Sequence, residues 1–141
     1  MFTKLINLFK NLGFPLAIKS SDSSYIKGKS SEAVALKYLK QHKWKIIKTN
    51  FRCYVGEIDI IGLNPGSKSA SQIAYIVAFE IKYRKDKDTL PYAISLNQQR
   101  RISRAFSSFL ACKPKFNSLS QRFDVIFLNQ DYQITHIENA W

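Results

Sequence analysis

The segment Ile73-Ala74-Tyr75-Ile76-Val77-Ala78-Phe79 is an unbroken apolar run that stops abruptly at Glu80-Ile81-Lys82. A run of this length, rich in β-branched and aromatic residues, fits a strand covered on both faces and hence the middle of a sheet. A carboxylate and an ammonium at its end are costly to bury without partners. Residues two apart on a strand point the same way, so Glu80 and Lys82 share a face. The segment Gly56-Glu57-Ile58-Asp59-Ile60-Ile61 reads as the preceding strand, on which the same rule gives Glu57 and Asp59 a common face. If the two strands are antiparallel neighbours, Asp59 and Glu80 are able to converge. Two carboxylates beside a lysine suit a divalent cation, Mg²⁺ or Mn²⁺, and phosphate chemistry.

The rest of the chain supplies a frame for that pair. Phe2, Leu5, Ile6, Phe9 and Leu12 fall at helical spacing, so residues 2–12 read as a short amphipathic helix. It either contacts a membrane surface or a partner, or packs on its own domain or frays in solution. Gly13, Pro15 and the polar run from Ser20 to Ser24 divide the chain into an N-terminal extension, 1–26, and a compact domain, 27–141. A helix is expected over 30–42, with Ser30 or Ser31 as N-cap and Ala35, Leu36 and Leu39 as its inner stripe. Glu32 belongs to that stripe. It either needs a partner there or simply complements the helix dipole in the first turn. Trp44 to Lys48, continued by Asn50 to Val55, reads as a first strand, and Glu57 to Leu63 as a second. A strong turn signal, Asn64-Pro65-Gly66-Ser67, precedes the third, Ile73 to Tyr83. Pro91-Tyr92-Ala93-Ile94 leads into a helix from Ser95 to Cys112, whose apolar face is Ile102, Ala105, Phe106, Phe109 and Leu110 and which Pro114 ends. Arg122 to Leu128 and Tyr132 to Ile137 are two further strands about the turn Asn129-Gln130-Asp131. The order is helix, three strands, helix, two strands: an α/β domain with a mixed sheet whose first three strands meander.

Charge narrows the partner. With 22 basic against 10 acidic residues the chain carries a net charge of +12 and a pI near 9.8, a balance that favours a polyanion and points first to nucleic acid. Arg100, Arg101 and Arg104 lie off the apolar face of their helix, either as a solvated face or as phosphate contacts, and Arg84 opens a charged stretch that is solvated or lines a groove. Cys53 and Cys112 are far apart and outside any CxxC pair, which argues against zinc or a disulfide framework and fits a cytoplasmic location. No apolar stretch reaches the roughly 20 residues that a bilayer-spanning helix needs. Neither a glycine-rich phosphate loop nor a GxSxG elbow occurs, so covalent nucleophilic catalysis has no support. His42 and His136 are isolated and read as surface or packing residues.

Several short motifs occur together in order: Lys27-Gly28 with Ser31-Glu32-Ala33, Asn50-Phe51-Arg52, Gly56-Glu57-Ile58-Asp59-Ile60-Ile61, and Phe79-Glu80-Ile81-Lys82-Tyr83-Arg84. They continue with Pro91-Tyr92-Ala93-Ile94, Gln99-Arg100-Arg101-Ile102, Arg122-Phe123-Asp124-Val125 and His136-Ile137-Glu138-Asn139-Ala140-Trp141. On these residues the chain from Lys27 to Trp141 resembles the YraN family. That resemblance implies a restriction-endonuclease-like fold, related to archaeal Holliday-junction resolvases and PD-(D/E)XK nucleases. It also implies that Asp59 and Glu80 are metal-binding acids, that Lys82 is the lysine of the E-x-K pair, and that Glu32 is the acid contributed by the first helix. Glu57 belongs to the family motif without a role in the nuclease pattern, and Ser31 stands where the family usually has glycine. Three readings are open. One is a metal-dependent endonuclease acting on branched or structured DNA, as a homodimer if it makes paired cuts in a junction. The second is a nucleic-acid-binding protein that does not cleave. The third is a membrane-peripheral protein using residues 2–12.

Overall fold

The computed structural model describes residues 23–65, 73–84 and 94–141, with side chains from residue 28 onward. The sequence-predicted helix over 2–12 and the segments 66–72 and 85–93, which include Pro91 to Ala93, lie outside the described residues. The apolar run forms the middle strand of a five-stranded sheet in the order β1-β2-β3-β4-β5. The elements are α1 (Ser23–Gln41), β1 (Lys45–Cys53), β2 (Gly56–Leu63), β3 (Tyr75–Tyr83), α2 (Leu96–Ala111), a 3₁₀ turn (Pro114–Phe116), β4 (Ser120–Leu128) and β5 (Ile134–Ile137). β1, β2 and β3 form the expected antiparallel meander, β4 runs parallel to β3, and β5 returns antiparallel to β4. A parallel pair needs a crossover connection, and the segment carrying α2 supplies it.

Strand alternation then assigns the two faces. On β3, Ile76 and Ala78 enter the core beneath α2 with Ile102, Ala105, Phe106 and Phe109. Val77 and Phe79 enter the core beneath α1 with Ala35, Leu39, Ile126 and Leu128. The sheet is therefore covered on both sides, as the unbroken apolarity of its middle strand requires.

Several boundaries differ from expectation. The first helix starts at Ser23 rather than near residue 30, so Ser30 and Ser31 are buried inside it and do not cap it. Ser31, Ala35 and Leu39 are fully or almost fully buried along one stripe, and small side chains there let α1 settle close to the sheet. That docking outweighs the roughly 1 kcal/mol that Gly28 costs a helix interior relative to alanine. β3 begins at Tyr75, and β4 two residues early at Ser120. β5 is short because Asn129 Oδ1 accepts from the amides of Asp131 and Gln133, which holds residues up to 133 in the turn. α2 starts as expected, with Ser95 Oγ accepting the Gln98 amide at 3.2 Å.

β1 is one irregular strand: its register with β2 slips between Ile46 and Lys48, and Asn50 adopts a φ of 50°. At the end of the hairpin, Gly56 lies against α2 so closely that a Cβ there would sit 2.8 Å from the Arg101 carbonyl oxygen. That neighbour is backbone and cannot swing away. Gly56→Ala should therefore cost about 1–3 kcal/mol, the usual range for overpacking. Denaturant unfolding of both proteins should show a lower midpoint with an unchanged slope.

Candidate functional site

β2 and β3 are hydrogen-bonded from Leu63–Ile76 to Ile60–Phe79, and the register ends there. Asp59, one residue further on, accepts the Ile81 amide on Oδ2 at 2.7 Å. A side-chain carboxylate thus takes the place of a ladder carbonyl, and the strands part around it without leaving a buried donor unpaired. Asn50 lies opposite Asp59, between the Thr49–Ile60 and Phe51–Ile58 pairs. Its left-handed φ of 50° is one that asparagine tolerates better than most residues. The faces exchange at this point: Phe51 and Ile58 pack beneath α2, whereas Ile60 packs beneath α1. Strict alternation therefore fails, and Glu57 and Asp59 do not share a face.

Two clefts open at the parting. One, of about 300 Å³, is lined by Lys29, Glu32, Asn50 and Asp59 on the α1 side. The other, of about 290 Å³, is lined by Glu57, Glu80, Gln98 and Arg101 on the α2 side. Glu80 and Lys82 do share a face, and Lys82 Nζ meets Glu80 Oε1 at 2.5 Å. Gln98 Nε2 donates to the same oxygen at 2.7 Å, so Oε2 carries neither bond. Glu80 is buried, with 7% of its surface exposed.

Burial is the main reason that the Asp59 carboxyl is pushed up to about 7, and the charge of Glu80 adds to it. The Ile81 amide and Lys82 pull in the other direction, while Glu32 adds a third negative charge. Burial also raises the Glu32 pKa, against a hydrogen bond from the Asn50 side chain that favours its charged form. The first-helix glutamate has thus found a partner. Carboxylates crowded in this way are in the electrostatic condition that a hard divalent cation relieves, and oxygen donors are what such a cation prefers.

Among the four arginines singled out in the sequence, Arg101 lines the Glu80 cleft. Arg100 and Arg104 are exposed on α2, away from its apolar face. Arg84 follows β3: its amide donates to the Leu128 carbonyl and its guanidinium to the Tyr83 carbonyl at 2.8 Å. Sequence reasoning overlooked two positioning residues. Gln98 ends a Ser-x-x-Gln sequence of the capping-box type, and nothing local signals its contact with Glu80. An asparagine inside a strand pattern is itself a signal of irregular backbone, and Asn50 carried it.

A second polar cluster lies toward the opposite end of the sheet. Arg122 grips both oxygens of the fully buried Asp124, at 2.9 and 2.8 Å, and also reaches Glu138 at 3.2 Å. His136 Nε2 stands 2.8 Å from Asp124 Oδ2, and its Nδ1 stands 3.3 Å from the Tyr38 hydroxyl. Asp124, His136 and Glu138 are spaced as metal ligands can be, but the arginine already occupies both Asp124 oxygens. The histidine read as surface or packing is a packing residue in a closed ion-pair network.

The order and pairing of the strands, with a helix on each face, give an α/β domain with a restriction-endonuclease-like mixed sheet. The pattern of Uncharacterised protein family UPF0102 matches residues 31–128. A UPF0102 protein of Geobacter metallireducens is 36% identical over 119 residues, covering 81% of this chain and 90% of the relative. One of Pelobacter propionicus is 35% identical over 120 residues, covering 81% of each, and one of Ehrlichia chaffeensis is 33% identical over 116, covering 82% and 87%. The chain belongs to the UPF0102 family, which is the YraN family. Among the described residues no helix is long and apolar enough to cross a membrane.

The Asp59 pKa has a consequence for stability. Its value rises from 3.8 in the unfolded reference to about 7 in the fold. The fold therefore binds this proton more tightly, and the associated stability is present below about pH 4 and lost as pH rises through 7. Asp59→Asn, which imitates the protonated form, should melt above wild type at pH 8 without added metal, and the gap should close toward pH 4. Thermal unfolding across pH checks this; a constant gap would contradict it.

Proposed function

We propose that this protein is a divalent-metal-dependent phosphodiesterase acting on structured or branched DNA. The observation that supports it best is the electrostatic interaction of Asp59 with Glu80 and Lys82 where β2 and β3 part, with Gln98 holding Glu80 and Asn50 holding Glu32. Asp59 and Glu80 are the residues that would hold Mg²⁺ or Mn²⁺. When bound, such an ion polarises the scissile phosphate and makes an attacking water more acidic. Lys82 lies beside Glu80 and is placed to offset negative charge as it builds on the phosphorus oxygens. Glu32, across the first cleft, is placed to hold the water or to complete the oxygen shell. Gln98 fixes one Glu80 oxygen and leaves the other available. Arg101 enters the same cleft, and Arg100 and Arg104 extend positive charge along α2, where forked guanidinium donors suit phosphates.

Titration calorimetry with Mn²⁺ and Mg²⁺ tests the metal step. Wild type should bind, and Asp59→Ala should not. With labelled junction and single-stranded DNA, Glu80→Ala should abolish cleavage while binding persists. Lys82→Ala should slow cleavage by about 100- to 1,000-fold, the usual effect of removing one charge-stabilising donor. If neither metal binds, the nuclease reading fails.

A second reading, a nucleic-acid-binding protein that does not cleave, draws on the same basic surface and on the Glu80–Lys82 pair already being closed. It expects tight, salt-sensitive binding with no product in either metal. For either reading, replacing Arg104 with alanine should reduce the slope of log affinity against log salt by about one unit if Arg104 contacts a phosphate. An unchanged slope would remove Arg104 from the interface.

A further inference from the structure

We propose that Tyr54, at the tip of the β1–β2 hairpin, is a stacking platform for an unpaired base next to duplex DNA, so that the protein selects single-strand/double-strand boundaries. The inference deepens the nucleic-acid reading above and rests on it.

Among the described residues Tyr54 is 97% exposed, more than the other large exposed apolar residues, Ile73 at 63% and Leu96 at 69%. A lone exposed apolar side chain ordinarily needs no explanation. Three features set this one apart.

The turn does not call for it. Cys53 pairs with Gly56, so Tyr54 and Val55 make a two-residue hairpin turn. Such turns favour Asn-Gly or other pairs able to adopt positive φ, yet neither Tyr54 nor Val55 has a positive φ. An aromatic ring contributes nothing to this backbone.

The tip cannot fold away to hide the ring. Phe51, Cys53 and Val55 pack against the core beneath α2, and Gly56 rests on the Arg101 carbonyl. The hairpin is held on the helix, and the tyrosine between Cys53 and Val55 is held out into solvent.

Arginines near the tip suit a polyanion. Arg52, two residues before Tyr54, is exposed and paired with the exposed Glu57 at 3.3 Å, and Arg101 lies on the helix beneath the tip. Gly56 and Asp59 are separated by three strand residues, about 10 Å. That is close to three nucleotide steps at about 3.4 Å each. A backbone crossing from the arginines of α2 to the acidic cleft would thus bring a base near the hairpin tip as it leaves the duplex. Every base has a π-face, so a ring here captures any of them.

The test uses the full chain, without added metal, on blunt duplex and on the same duplex with a short flap carrying 2-aminopurine at its first unpaired position. Wild type should prefer the flap and alter the 2-aminopurine fluorescence. Tyr54→Ala should weaken flap binding about tenfold, as loss of one base–aromatic stack does. It should leave duplex binding and the melting temperature unchanged and abolish the fluorescence change. Tyr54→Phe keeps the ring and should restore both. Equal flap binding by wild type and Tyr54→Ala overturns the proposal and leaves the nucleic-acid reading standing, as does an equal loss on flap and duplex. Wild type that binds neither DNA overturns both.

Discussion

One hydrogen bond, from the Ile81 amide to Asp59 Oδ2, sets the geometry at the centre of this domain. Two antiparallel strands in a covered sheet would ordinarily stay paired, because an unbonded amide in the interior costs about 1–3 kcal/mol. Here an acid supplies the missing acceptor from the neighbouring strand. The strands separate at that residue, and a polar cleft opens in what would otherwise be continuous apolar core. The same bond places a negative oxygen beside a second carboxylate, and burial keeps water from screening the two. Strand separation and charge crowding are thus one structural event.

The two helices complete it from opposite faces. α1 brings Glu32 to Asp59 by laying a stripe of small residues against the sheet, and Asn50 ties that glutamate to β1. α2 brings Gln98 to Glu80, and its first turns also carry the arginines on which the proposed contact with nucleic acid rests. The positions on each helix that face the acids are fixed by the apolar stripe below them. A change in core packing under α2 would therefore move Gln98 relative to Glu80, with no substitution in the cleft itself.

Much of this was legible in the sequence, and the limits have a common cause. The central strand, the pairing of Glu80 with Lys82 and the apolar face of α2 all come from periodicity, and periodicity is a local property. What escaped was irregular. The shared face assigned to Glu57 and Asp59 failed because the left-handed Asn50 exchanges the faces of β1, and β2 changes face at Asp59 opposite it. The start of α1 was missed because a cap signal at Ser30 and Ser31 competed with tertiary burial, and burial prevailed. Gln98 was missed because its partner, Glu80, lies 18 residues away on another element. Arg84 belonged by charge to the basic set, and its guanidinium bond to the Tyr83 carbonyl was not visible in the pattern.

The irregularity of β1 reaches beyond the cleft. A sheet has two open edges, and a straight edge with free amides and carbonyls invites another chain to add on. One edge here is β1, with its slipped register, a left-handed residue within it, and exposed Lys45, Lys48 and Arg52 along it. The other is β5, only four residues long. Neither edge is a good template for strand addition, so the nearly all-apolar β3 stays shielded from the aggregation that such a segment would otherwise promote. Among the described residues, the backbone device that shapes the cleft thus also spoils one edge of the sheet as a regular template for a second chain.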